Sequence, residues 1–246
     1  MSKKEELSTW DNLDHWQDIR DKSVEERFSK PKITISAKTD NQQLYINSIK
    51  DKSITIVSGP SGSGKTYIAV GLALQMLNSG KISKIIVSRP MVECGRKFGA
   101  MPGDLDEKFV IYMRPILDNF LCFVKEKDLE HLRKEGKIEF VPLELMRGAS
   151  IKDSFVFVDE AQNLSKEQML MFLTRIGEGS KFVVSGDIKQ SDLKIHDRSY
   201  NNDDSALAFA ARNLEDEEIG KVYFTSADIV RHGLVKVIIE QWETGR

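Results

Sequence analysis

The chain has 246 residues, 40% of them hydrophobic and 30% charged, the composition of an ordinary globular protein rather than a disordered one. Thirty-six basic residues against 38 acidic ones leave a formal charge of −2, which excludes a global basic field and confines any nucleic-acid contact to a local patch. Cys94 and Cys122 are too few and too scattered for a disulfide framework or a zinc site, and no stretch approaches the ~20 apolar residues of a membrane span. The first twenty residues lack the apolar run of a signal peptide, so a cytoplasmic protein with reduced cysteines is expected.

Residues 1–30 read as a charged extension in which Leu7, Trp10, Leu13 and Trp16 recur at spacing three, one apolar face of a short helix. That face packs on its own domain or docks on a neighbouring subunit, and Pro31 ends it. Residues 31–246 then alternate short apolar runs with longer helical stretches. The runs are "ITIVS" (54–58), "KIIVS" (84–88), "IEFVP" (138–142), "SFVFVDE" (154–160), "KFVVSGD" (181–187) and "KVYFT" (221–225), and a last helix is expected in "ADIVRHGLVKVIIEQW". Continuous apolar strands separated by helices predict a single α/β domain whose parallel sheet is covered by helices on both faces.

The stretch "GPSGSGKT" fits the phosphate-binding P-loop, with an apolar strand before it and a helical pattern after it. Gly59, Pro60, Ser61, Gly62, Ser63 and Gly64 would curl backbone N–H groups around a phosphate at a helix N-terminus. Lys65 would reach the β and γ phosphates of ATP, and the Thr66 hydroxyl would ligate Mg²⁺. Asp159, closing the run "FVFVDE", is the expected second metal-side acid. Glu160 beside it is placed to polarise a water for attack on the γ-phosphate, or else is an acid favoured by a helix dipole. The pair disfavours a small-molecule kinase, in which the acceptor's hydroxyl attacks.

"GDIKQ" sets Gly186, Asp187 and Gln190 at the end of the next apolar strand, where the glutamine would sense the γ-phosphate. Upstream, Gln42, with Gln43 second, is the candidate reader of the adenine edge, because an amide both donates and accepts. His15, His131, His196 and His232 show no ligand spacing.

These motifs, with "IIVSRPMVECGRKFGAMPGDLDEK", "IEFVPLELMRG", "QMLMFLTRIGEGSKFVVSGDIKQSDL" and "SADIVRHGLVKVIIE", lie in order over residues 38–241. Together they resemble the PhoH-like, phosphate-starvation-inducible P-loop ATPases in a short, phage-type form. The resemblance implies a RecA-like domain similar to the ATP-binding half of superfamily 1 helicases, with ATPase activity linked in some members to RNA. Asp40 and Gly233 stand where family members often carry proline, at positions away from the phosphates.

One Walker A loop and one Asp-Glu pair leave the transition-state arginine to come from the same domain or from a neighbouring copy. A neighbouring copy implies a head-to-tail ring, most simply a homohexamer with ATP between subunits. Arg175 is the candidate trans finger and Arg231 the candidate cis sensor. Arg89, Arg96, Lys97 and Arg147 lie beyond strand ends and could grip single-stranded RNA or DNA, with Phe98 stacking on a base. The leading expectation is an RNA- or DNA-directed ATPase, with a nucleotide-gated assembly module of little turnover as the alternative.

Overall fold

Runs of β-branched and aromatic residues too short for a helix become strands, and the longer stretches between them become helices. The computed structural model describes residues 33–90, 112–146, 148, 150–190, 205–230, 233, 234, 237, 238 and 241. The N-terminal extension and the polar run after Gln190 lie outside the described residues. Six strands, β1 (Ile54–Ser58), β2 (Lys84–Ser88), β3 (Ile138–Phe140), β4 (Ser154–Val158), β5 (Lys181–Gly186) and β6 (Ile219–Tyr223), form one sheet in the order β3-β2-β4-β5-β1-β6. Every neighbouring pair is parallel.

Successive side chains alternate between two apolar layers, as the period of a strand requires. Val57, Ile85, Val87, Phe155, Phe157 and Val183 face one layer. Ile56, Ile86, Val156, Val158, Phe182 and Val184 face the other. The first layer is covered by helices α1 (Asp40–Asp51), α2 (Lys65–Asn78), α3 (Arg114–Leu121) and α4 (Glu126–Lys134). The second is covered by α5 (Lys166–Leu173) and α6 (Ala206–Asn213). Helix α2 is buried continuously from Ile68 to Leu74, which is why its sequence is apolar nearly all round rather than on one stripe.

Local chemistry sets the ends. Thr39 Oγ1 accepts from Gln42 N at the start of α1, and Ser165 with Gln168 closes a capping box on α5. The strand expected over 138–142 stops at Phe140, because Pro142 has no N–H for the ladder and leads into a 3₁₀ turn, Leu143–Leu145. The last strand begins at Ile219, two residues before the apolar run that announced it. The expected final helix is interrupted at its start. Ser226–Asp228 is a 3₁₀ turn, and the described residues beyond Val230 are helical.

Because every strand is parallel, all the carboxyl ends emerge on one edge. In the order β1, β5, β4, β2 they deliver the P-loop, Gly186-Asp187, Asp159-Glu160 and Arg89 side by side.

Candidate active site

The P-loop leaves β1 through Gly59, whose φ of 155° and lack of side chain let it pass Phe224, where an added Cβ would lie 2.5 Å from Phe224 Cβ. Gly59 N donates to Gly186 O at 3.1 Å, fastening the loop to the end of β5. Ser63 Oγ donates to Pro60 O at 2.8 Å within the loop. Lys65 Nζ folds back onto the carbonyls of Gly59 (2.5 Å) and Pro60 (2.9 Å), over the place where a phosphate would sit. Val230 N donates to Gly62 O at 3.1 Å, so the segment after β6 braces the loop.

A cavity of about 500 Å³ opens above these groups. Ser61, Lys65, Thr66, Asp159, Glu160 and Gln190 line it. Thr34, Ser36, Lys38, Gln42, Tyr67 and Asn119 also line it. The volume, the P-loop residues and the one aromatic wall residue, Tyr67, suit a nucleotide.

Thr66 Oγ1 donates to Asp159 Oδ2 at 3.3 Å. Asp159 is buried, and burial pushes its carboxyl above the usual range; the Glu160 charge pushes the same way while Arg89 and Lys65 pull it down. A buried carboxylate raised by desolvation, beside the Thr66 hydroxyl on the cavity wall, fits a divalent cation that would supply compensating charge. No cluster of three or more acidic, histidine or cysteine ligands occurs among the described residues.

Glu160 adopts the left-handed conformation, φ 54° and ψ 38°, costly for a residue with a Cβ and held here by its contacts. Its Oε1 accepts from Arg89 Nη2 at 3.2 Å and its Oε2 from Gln162 Nε2 at 2.6 Å. Gln162, absent from the sequence expectations, is buried and also accepts the Asp187 N–H on its Oε1 at 3.0 Å. It joins the end of β4 to the end of β5. The signal available in the sequence was a polar residue directly after the Asp-Glu pair, in a segment that turns under the sheet edge.

Gln190 lines the cavity, and its N–H donates to Asp187 O at 3.0 Å. Gln42 lines the same cavity, although its amide already serves the protein. Nε2 donates to Ser63 O at 2.9 Å and Oε1 accepts from Lys38 N at 2.8 Å. A second N–H and a second lone pair remain for an adenine edge. Gln43, the alternative, is exposed and bonds Asn47 on its own helix at 2.8 Å, away from the site. Tyr67, also unforeseen, is 42% exposed on the cavity wall and leans on Phe123 with ring centroids 4.6 Å apart. It offers a face to a base.

Arg175 sits at the opposite edge of the sheet. Its carbonyl accepts from Ile151 N ahead of β4, and its guanidinium bonds the carbonyl of Gly148. A five-residue strand separates that edge from the cavity, about 17 Å, so Arg175 cannot serve the nucleotide of its own chain. Arg89, one of the candidate nucleic-acid contacts, turns toward the site. The β2–β4 register pairs Ser88 with Val158, and one residue further on it brings Arg89 against Asp159-Glu160 with only 17% of its side chain exposed. Arg231, Arg96, Lys97, Phe98 and Arg147 lie outside the described residues.

The family described as PhoH-like protein matches residues 34–243. This chain belongs to that family. A PhoH-like protein of Synechocystis is 42% identical over 210 residues, 85% of this chain and 62% of that protein. A PhoH-like protein of Bacillus subtilis is 38% identical over 246 residues, 99% of this chain and 72% of the relative. The chain spans 58 to 62% of the length of several of these curated relatives. Among solved structures, the large terminase of the thermophilic bacteriophage D6E matches with a TM-score of 0.45 at 10% identity, over 82% of this chain and 49% of that one. The PhoH-like chain thus carries a P-loop NTPase fold, and no helix among its described residues is long and apolar enough to cross a membrane.

Proposed function

We propose that this PhoH-like chain binds ATP·Mg²⁺ and hydrolyses it, and that single-stranded RNA or DNA regulates the turnover. The observation carrying this reading is the meeting of Lys65, Thr66, Asp159, Glu160 and Gln190 on one cavity, from strands far apart in sequence. Lys65 and the loop amides would take the phosphates, while Thr66 and the buried Asp159 would hold the cation. A bound cation would supply charge for the leaving phosphates, Glu160 would orient and polarise the water, and Gln190 would meet the γ-phosphate. Gln42 and Tyr67 would receive the base. The proposed setting is cytoplasmic.

The remaining arginine is proposed to come from a second copy. Arg175 lies at the edge opposite the cavity, and a head-to-tail ring, a homohexamer in its simplest form, would present one copy's far edge to the next copy's nucleotide. Arg231 is the proposed cis partner. The test is steady-state ATP hydrolysis with and without single-stranded RNA and DNA, with Glu160→Gln as the blank. Stimulation by a polymer that disappears in the blank supports the reading. Hydrolysis indifferent to both polymers removes the nucleic-acid part. One observation favours a slow basal rate and a gated module. Both oxygens of Glu160 are already engaged by protein donors.

A further inference from the structure

The two groups holding Glu160 are not alike. Gln162 is buried, reaches on to the Asp187 amide, and presses against Gly186, where an added Cβ would meet Gln162 Oε1 at 2.4 Å. It belongs to the fixed floor of the site. Arg89 is only partly committed. It meets Glu160 through a single nitrogen at 3.2 Å, and its Nη1 reaches Tyr112 O at 3.5 Å, the outer limit of a hydrogen bond. Its Nε is buried without a hydrogen-bond partner among the described residues. The guanidinium lies 4.9 Å from the centroid of the Tyr112 ring, and Glu160 lines the nucleotide cavity whereas Arg89 does not. A fork of five donors, shaped for two-pronged contact with a planar anion or a phosphate, is making one short contact.

We propose that Arg89 is a releasable restraint on Glu160, and that a phosphodiester group of single-stranded nucleic acid releases it by taking the guanidinium on two oxygens. This rests on the reading of Glu160 as the group that positions water. With Arg89 in place, each carboxylate oxygen already accepts one bond from the protein, and the Arg89 contact fixes the direction in which Oε1 faces. With Arg89 drawn away, both acceptor positions of Oε1 are open to the attacking water while Gln162 keeps the carboxylate aimed. Exchange is within reach because the existing contact is single-pronged and its carboxylate is 37% exposed. Such pairs shift an equilibrium by no more than about five-fold. A two-pronged arginine–phosphate contact is stronger and supplies the difference. Arg89 therefore acts through Glu160, as a positioning residue, and links the cavity to a polyanion that never enters it.

The test compares the full chain with Arg89→Gln and Arg89→Lys, measuring ATP turnover, nucleotide affinity, and binding of poly(U) RNA and oligo(dT) DNA. The expected result is a rise in the polymer-free rate of Arg89→Gln of about two- to five-fold, with nucleotide affinity unchanged and little further stimulation by polymer. Arg89→Lys, which keeps the charge and loses the fork, should stay slow without polymer and respond less than wild type. A polymer-free rate for Arg89→Gln equal to or below wild type, at unchanged nucleotide affinity, would overturn the restraint. A faster Arg89→Gln beside a wild type indifferent to both polymers would keep the restraint and overturn nucleic acid as its releaser. ATP binding without turnover in all three proteins would overturn the hydrolytic reading and the restraint together.

Discussion

Gly186→Ala tests the geometry of the site through one methyl group. Gly186 has an ordinary φ, so its backbone accepts alanine and the consequence is steric. The new Cβ would stand 2.4 Å from Gln162 Oε1, 2.7 Å from Leu207 Cδ2 and 3.0 Å from Gln162 N. Leu207 is fully buried at 0% exposure and cannot swing out, so Gln162 must give way. Overpacking of this kind costs about 1–3 kcal/mol. Moving Gln162 also strips its bond from the Asp187 N–H, which adds about 1 kcal/mol. A loss of about 2–4 kcal/mol lowers the urea midpoint by about 1–2 M at the usual slopes for such domains. The decisive assay is a double-mutant cycle by urea unfolding. Gln162→Ala removes the obstructing side chain, so Gly186→Ala should cost about 1 kcal/mol or more less in that background than in wild type. Turnover that depends on Glu160 should fall in both single variants. Equal cost in both backgrounds, or a Gly186→Ala protein as stable and active as wild type, would refute the claim that Gln162 is pinned between β4 and β5.

Other expectations are separable. Asp228 is buried, and its Oδ2 accepts from Thr225 N, Thr225 Oγ1 and Asn41 Nδ2 at 2.8, 3.1 and 2.8 Å, so Asp228→Ala should destabilise by about 2–3 kcal/mol by leaving those donors unpaired. Burial opposes its charge, but bonds from Thr39, Asn41 and Thr225 outweigh burial and hold its carboxyl below the ordinary 3.8. Its contribution is then complete above pH ~4 and lost as pH falls through the lowered value, a dependence that Asp228→Asn should remove from urea titrations between pH 2.5 and 5. Tyr67→Ala should weaken ATP binding by about ten-fold or more, from loss of base stacking, while leaving inorganic triphosphate affinity unchanged. Arg175→Ala should abolish turnover without changing ATP affinity or oligomer size, and full activity in a normal ring would remove it as the trans finger. Gly233→Ala meets nothing within 4 Å in a helical segment and should raise stability by about 0.5–1 kcal/mol, read as a higher thermal midpoint.

The parts of the site that could be read from the chain are those in which chemistry and geometry are both local. A P-loop is one continuous turn between a strand and a helix, so Gly59 to Thr66 announce it without reference to anything distant. Asp159 and Gly186-Asp187 were legible for a related reason. Each follows a buried parallel strand, and the carboxyl ends of such strands share an edge whatever their order. The alternation of apolar runs and helical stretches likewise determined the α/β class and the covering of both faces.

What the chain alone left undecided was which side chain meets which, because that follows from strand order and register between segments far apart. Arg89 looked like an outward cation until the pairing of Ser88 with Val158 brought it to Glu160. Gln162 carried no expectation, and it is the adjacency of β4 and β5 that places it between a carboxylate and a backbone amide. The same sheet put Arg175 at the far edge, where its partner must belong to another molecule if it serves a nucleotide. Residue types and strand ends are properties of short windows of sequence. Proximity across a sheet is a property of the register, and here it turned a set of motifs into a cavity with a restrained carboxylate on its wall.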